Sequence, residues 1–90
     1  MSKDEIISRV NDLMREGFEV PAEKLKPEAL LFQDLGLDSL DAIDMLVHLE
    51  EKFGVKVSGE KLIHIKVLSD VYDLVENVAR SVQDQHQVSH

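Results

Sequence analysis

Three stretches of the chain repeat apolar residues every three or four positions. Over 3–16, Ile6, Ile7, Val10, Leu13 and Met14 alternate with Lys3, Asp4, Arg9, Asp12 and Arg15, which predicts an amphipathic helix. Ser2 or Asp4 is placed to cap its start and Gly17 to stop it. The pattern is strongest over 39–53. At about 100° per residue, Ala42, Ile43, Met45, Leu46, Leu49 and Phe53 fall on one broad arc and form the expected core face. Asp38 or Ser39 supplies the N-cap there, and Gly54 the stop. Over 69–82, Val71, Leu74, Val75, Val78 and Val82 line one face, and this spacing outweighs the strand preference of valine. Ser69 with Asp70 is placed to cap that helix, and Tyr72 is expected half-buried on it. Residues 60–65 suit a short helical turn.

Between the first two helices, residues 18–37 keep no period. Pro21 and Pro27 oppose one continuous helix. A loop of about 20 residues is unusual in a compact domain and is often functional. Leu25, Leu30, Leu31, Phe32 and Leu35 are expected to tack it onto the core. Residues 83–90 are polar and are expected to form a disordered tail, leaving one domain over 1–82. With no internal repeat and no sustained alternation, the expected fold is all-α. Four helices, the third short, pack as an antiparallel-type bundle bridged by the loop.

Charge narrows the function. The chain has 18 acidic and 10 basic residues, a net charge of −8. Nucleic acid requires the opposite sign, and an anionic membrane surface would repel this chain. Basic protein partners are the expected complement. There is no Cys, hence no disulfide framework and no thiolate metal site. No apolar run approaches the roughly 20 residues of a membrane span. Met1 to Glu5 does not open a signal peptide, so a cytoplasmic protein is expected. A monomer is expected as well. His48, His64, His86 and His90 show no metal spacing. Asp34, Asp38, Asp41 and Asp44 do not match a calcium loop. No Ser–His pairing suggests a triad, and Gly36-Leu37-Asp38-Ser39 is not a nucleophile elbow. Neither a metal site nor an enzyme is expected.

The informative segment is Asp34-Leu35-Gly36-Leu37-Asp38-Ser39-Leu40-Asp41. A serine follows a glycine-containing turn and opens a helix. Its hydroxyl then lies at the positive end of the helix dipole, beside unpaired N–H groups, where an attached phosphate is favoured. Gly36 permits the tight turn. A bare N-cap would account for a Ser in isolation, at about 1 kcal/mol. The whole octapeptide resembles the prosthetic-group attachment motif of acyl carrier proteins, and the similarity runs from about residue 3 to residue 82. It takes in the helix order, the long first loop and the helix end Glu50-Glu51-Lys52-Phe53-Gly54-Val55. The resemblance implies that Ser39 takes 4'-phosphopantetheine from coenzyme A, with Asp38 and Leu40 as motif neighbours. It implies a phosphopantetheinyl transferase as partner, together with acyl-transferring, condensing and reducing enzymes of fatty acid or related biosynthesis that bear basic patches. A cysteine-free chain would borrow its thiol from the arm. Polyketide, D-alanyl or other aminoacyl carriers share the Asp-Ser-Leu run, and an unmodified acidic interaction domain is a further alternative.

A second stripe on the 39–53 helix carries Leu40, Asp44, Val47 and Glu51, away from the core arc and flanked by Asp41 and Glu50. Residues 34–51 contain six acids and no Lys or Arg. Apolar residues ringed by acids suit a basic patch with a greasy centre, and in acyl carrier proteins this helix is the partner-recognition helix. A chain attached at Ser39 would slip toward the segment near residue 62. The expected lining is Phe32, Met45, Leu46, Leu49, Leu62, Ile65 and Val71. Resembling carriers often have Ala where Leu62 and Val71 stand, so a shallow pocket for short or medium chains is expected. Lys61 and Lys66 depart from the acidic third helix of many carriers, which points to specialised partners.

Overall fold

The structure is a computed structural model that describes residues 2–88, with side-chain surroundings for residues 2–80. Its three α-helices are α1 (Lys3–Phe18), α2 (Ser39–Phe53) and α3 (Leu68–Val88). Two 3-10 turns, Ala22–Lys24 and Gly59–His64, stand in the connections. The architecture is the expected all-α one, and its short third helix is the 3-10 turn Gly59–His64. Among the described residues, the β pairing is a single bridge, Leu30 with Val67.

Each helix buries most of its predicted stripe. Ile6, Val10, Leu13 and Met14 of α1 meet Val71, Leu74 and Val75 of α3, and Met45, Leu46 and Leu49 of α2 close the core. The side chain of Val82 lies outside the described surroundings. No buried residue is polar or charged among the described residues, apart from Tyr72 with its phenol. Tyr72 is only 3% exposed rather than half-buried. Its hydroxyl donates to Asn11 Oδ1 at 2.6 Å and ties α3 to α1. Burial pushes the Tyr72 phenol up from its ordinary pKa, partly offset by that hydrogen bond.

The helix ends differ from the sequence reading in instructive ways. Ser2 caps α1 through Glu5 N, one of the two candidates. Gly17, however, lies inside α1. The helix ends at Phe18, with Glu19 beyond it in the left-handed region at φ 56°. The shift lets Val20 bury at 4% exposure, and its N–H bonds back to Met14 O. Ser69 does not cap α3, which starts at Leu68. Asp70, in the first turn, instead accepts from the N–H groups of Lys66 and Val67 at 2.9 and 3.1 Å. At its other end α3 continues past 82 to Val88, through part of the expected tail. No Gly or Pro follows Asp70 to stop it. Ser89 and His90, the last two residues of the expected tail, lie outside the described residues.

The long loop is tied down as expected, by partly different residues. Leu31 and Leu35 are buried, joined by Val20, Ala29 and Leu37. Leu30 and Phe32 were expected on the core, yet they are 37% and 50% exposed. Backbone bonds fix the loop to the start of α3. Leu68 N donates to Ala29 O and Ser69 N to Pro27 O, both at 2.9 Å, and Leu31 N donates to Lys66 O at 3.0 Å. The loop thus satisfies N–H groups that the first turn of a helix leaves unpaired.

Candidate functional site

The turn before α2 is built from its own backbone and the Asp34 carboxylate. Leu30 N donates to Asp34 Oδ2 at 2.8 Å, and the N–H groups of Asp34 and Leu35 return to Leu30 O. Leu35 and Leu37 bury on either side of Gly36. Between them Gly36 takes φ 75°, where an L side chain is strained even though nothing crowds a Cβ there.

The two candidate caps resolve in favour of Asp38. Its Oδ1 accepts from Asp41 N at 2.8 Å, while Asp41 Oδ2 accepts from Asp38 N at 3.2 Å. This reciprocal pair fixes the first turn of α2. Ser39, the first helical residue, is therefore relieved of capping and is exposed. Beside it opens a groove of about 460 Å³ between the loop, α2 and the 3-10 turn. Ser39 forms part of its rim.

Four of the expected pocket residues, Phe32, Met45, Leu62 and Ile65, line this groove. Leu46, Leu49 and Val71 do not. They are 7%, 0% and 0% exposed and belong to the core, because their turns of α2 and α3 face α1. Ile43, expected on the core face, is 52% exposed and lines the groove instead. Sequence reasoning also missed Ile63 and Lys66. One signal was available: Leu40, Ile43 and Val47 stand at i, i+3 and i+7, a second apolar stripe too far round α2 to be core.

The candidate docking stripe is exposed as expected at Leu40 (74%) and Val47 (46%), and Asp44 and Glu51 are exposed with them. Asp41 and Glu50 are half-buried and differently employed. Asp41 completes the capping pair, and Glu50 Oε2 accepts from Val57 N at 2.8 Å, holding the segment after α2. Among the described residues, ion pairs join Lys3 to Asp73 and Glu76, Arg9 to Glu5, and Arg15 to Asp12, so none reaches the acids of 34–51.

Those uncompensated acids set a salt dependence. Asp38, Asp41 and Asp44 repel at helical spacing, while the existing pairs are exposed and worth about 0–1 kcal/mol each. Screening within about 10 Å at 0.1 M salt relieves more repulsion than it loses attraction. The melting temperature is expected to rise with sodium chloride and more with divalent cations. The rise should shrink in Asp44→Asn/Glu51→Gln. A flat or falling thermal melt would contradict it.

A family model described as a phosphopantetheine attachment site matches residues 8–75. The chain is 36% identical over 77 residues to the acyl carrier protein of Thermosynechococcus vestitus, covering 86% of this chain and 95% of that one. The chain belongs to the acyl carrier protein family. The acyl carrier protein of Thermotoga maritima is 37% identical over 75 residues, covering 83% of this chain and 93% of that one. A crystal structure of an acyl carrier protein from T. maritima shares the fold, with a TM-score of 0.78 at 24% identity over 91% of this chain and 95% of that chain. The family is one of carriers, and the prosthetic group of this member is 4'-phosphopantetheine. The observed site fits such a group. It offers an exposed hydroxyl at a helix N-terminus, freed from capping, at the rim of an apolar groove. Among the described residues, no helix is long and apolar enough to cross a membrane.

Proposed function

We propose that the chain carries acyl groups on a 4'-phosphopantetheine arm attached to Ser39 and presents them to enzymes that dock on Leu40, Asp44, Val47 and Glu51. The observation that carries this reading is the place of Ser39, exposed on the groove rim one residue from the docking stripe. In loading, Ser39 Oγ bonds to the pantetheine-bearing phosphorus of coenzyme A. The pyrophosphate P–O bond breaks, adenosine 3',5'-bisphosphate leaves, and the hydroxyl proton passes to the transferase. The chain itself supplies no catalysis. The attached group supplies the thiol that this cysteine-free sequence lacks, and an acyl group is held there as a thioester.

The chain's own residues have three tasks in this reading. Asp38 and Asp41 hold the turn so that the hydroxyl faces outward. Phe32, Ile43, Met45, Leu62 and Ile65 shelter apolar cargo, whose exposure costs roughly 0.8 kcal/mol per methylene. Exposed acids on α2 draw in basic patches on a phosphopantetheinyl transferase and on acyl-transferring, condensing and reducing enzymes. The chain works as a cytoplasmic monomer. Incubation with a phosphopantetheinyl transferase and coenzyme A, followed by intact mass and peptide mapping, tests the assignment. One arm on the Ser39 peptide is expected, and an arm on another peptide would refute it.

Leu62 limits the cargo. It is half-buried on the groove wall, and in this reading its bulk holds the cargo to short or medium chains. Leu62→Ala is expected to deepen the groove and slow hydrolysis of a long-chain thioester, at a cost of about 2–3 kcal/mol. Equal hydrolysis rates in the two proteins would show that Leu62 sets no limit.

A further inference from the structure

The groove beside Ser39 has one residue with an ionisable side chain in its lining, Lys66. The rest of the wall is apolar except for Ser39 itself. A lone cation is an odd choice here, because the chain has 18 acids and a net charge of −8. Solvation alone would be served by either sign.

Its backbone is also held on both sides. Lys66 O accepts from Leu31 N at 3.0 Å, and Lys66 N donates to Asp70 Oδ2 at 2.9 Å. The stem therefore starts from a fixed point on the groove wall. Lys66 also lines a smaller hollow with Leu30, Phe32 and Gln33, which places the residue at the Phe32 end of the groove. Among the described residues Lys66 makes no ion pair, and the nearby carboxylate of Asp70 is engaged by two backbone N–H groups.

We propose that Lys66 is an anion-recognising residue of the groove. Its ammonium pairs with an anionic oxygen group borne on the arm: the phosphodiester at Ser39, or a carboxylate at the free end of the acyl group. The inference rests on the assignment of the arm to Ser39. Lys66 is itself exposed, so its ammonium is free to swing over the apolar wall, where a pair is less screened than one fully in water. A compact ammonium with three rotatable donors suits an oxygen anion on a flexible tether. If the partner is the phosphodiester, Lys66 holds the arm against the groove whatever the cargo. If it is the cargo carboxylate, Lys66 makes the groove selective for dicarboxylic acyl groups.

The test uses the full chain in apo, holo, hexanoyl and adipoyl forms, the last two differing only in the terminal group. Wild type and Lys66→Gln are compared, and peptide mapping first locates the arm. The readouts are the Lys66 13Cε and 1Hε resonances and the 31P resonance of the arm. Lys66 shifts appearing between apo and holo, with a 31P change in Lys66→Gln, identify the phosphodiester as partner. Lys66 shifts appearing with adipoyl and not hexanoyl identify the carboxylate. With the arm mapped to Ser39, unchanged Lys66 resonances in all four forms overturn the proposal and leave the carrier reading intact. An arm mapped elsewhere overturns both.

Discussion

Ser39→Ala is expected to abolish phosphopantetheine attachment completely and to leave stability within about 0.5 kcal/mol of the wild type. The first effect is absolute because the hydroxyl oxygen is the atom that must bond to phosphorus. The second follows from the division of labour at the start of α2. Asp38, not Ser39, accepts from Asp41 N, so truncating Ser39 removes no cap. Alanine also has the better helix propensity. Asp38→Ala is the complement: it should cost about 1 kcal/mol by losing the cap, and it keeps the Ser39 hydroxyl, so an arm can still form although the turn that presents it is loosened. Intact mass after transferase treatment and urea denaturation of both variants read the two effects separately. An arm on Ser39→Ala would place attachment elsewhere. A stability loss above about 2 kcal/mol would give the hydroxyl a structural role that the geometry does not show.

The largest loss of stability is expected at Leu49, on the same helix. Leu49 is 0% exposed and belongs to the core that α2 shares with α1 and α3. Leu49→Ala removes buried methyl groups and leaves a cavity, at a cost of about 2–5 kcal/mol. A domain of this size loses roughly 4–8 °C of melting temperature per kcal/mol, so a fall of about 10 °C or more is expected. Leu40→Ala, near the start of α2 and 74% exposed, should stay within about 0.5 kcal/mol of wild type and weaken enzyme docking instead. Comparable denaturation midpoints for the two variants would mean that the division of α2 into a core face and a docking face is mistaken.

Periodicity carried most of the fold. The spacing of Ile6, Val10, Leu13 and Met14, and of Val71, Leu74 and Val75, located two helix faces because a buried stripe must repeat at about 3.6 residues. The attachment motif, with Gly36 and the Asp38–Asp41 turn, was equally legible, since short-range backbone chemistry fixes it. What escaped depends on partners far away in sequence. Glu50 reads as a surface acid until Val57 N is seen beside it. Gly17 reads as a stop, but burial of Val20 carries the turn past it to Glu19. Ile43 and Phe32 read as core because hydropathy does not distinguish a core wall from the wall of an open groove. Ile43 lies between two apolar stripes, and although its i+3 spacing from Leu40 hinted at the outer one, the packing of α1 and α3 is what leaves it there.

The seam between the loop and α3 makes the two sides of the groove unequal in stiffness. One side carries Leu31 and Lys66, stitched together through the backbone, with Leu68 and Ser69 anchored to Ala29 and Pro27. That side yields only if the start of α3 yields with it. The opposing turn, Gly59–His64, has the weaker hydrogen-bond geometry of a 3-10 helix and buries none of its residues fully. Strain from a bulky guest therefore collects in those six residues, which act as the compliant jaw of a clamp whose other jaw is rigid.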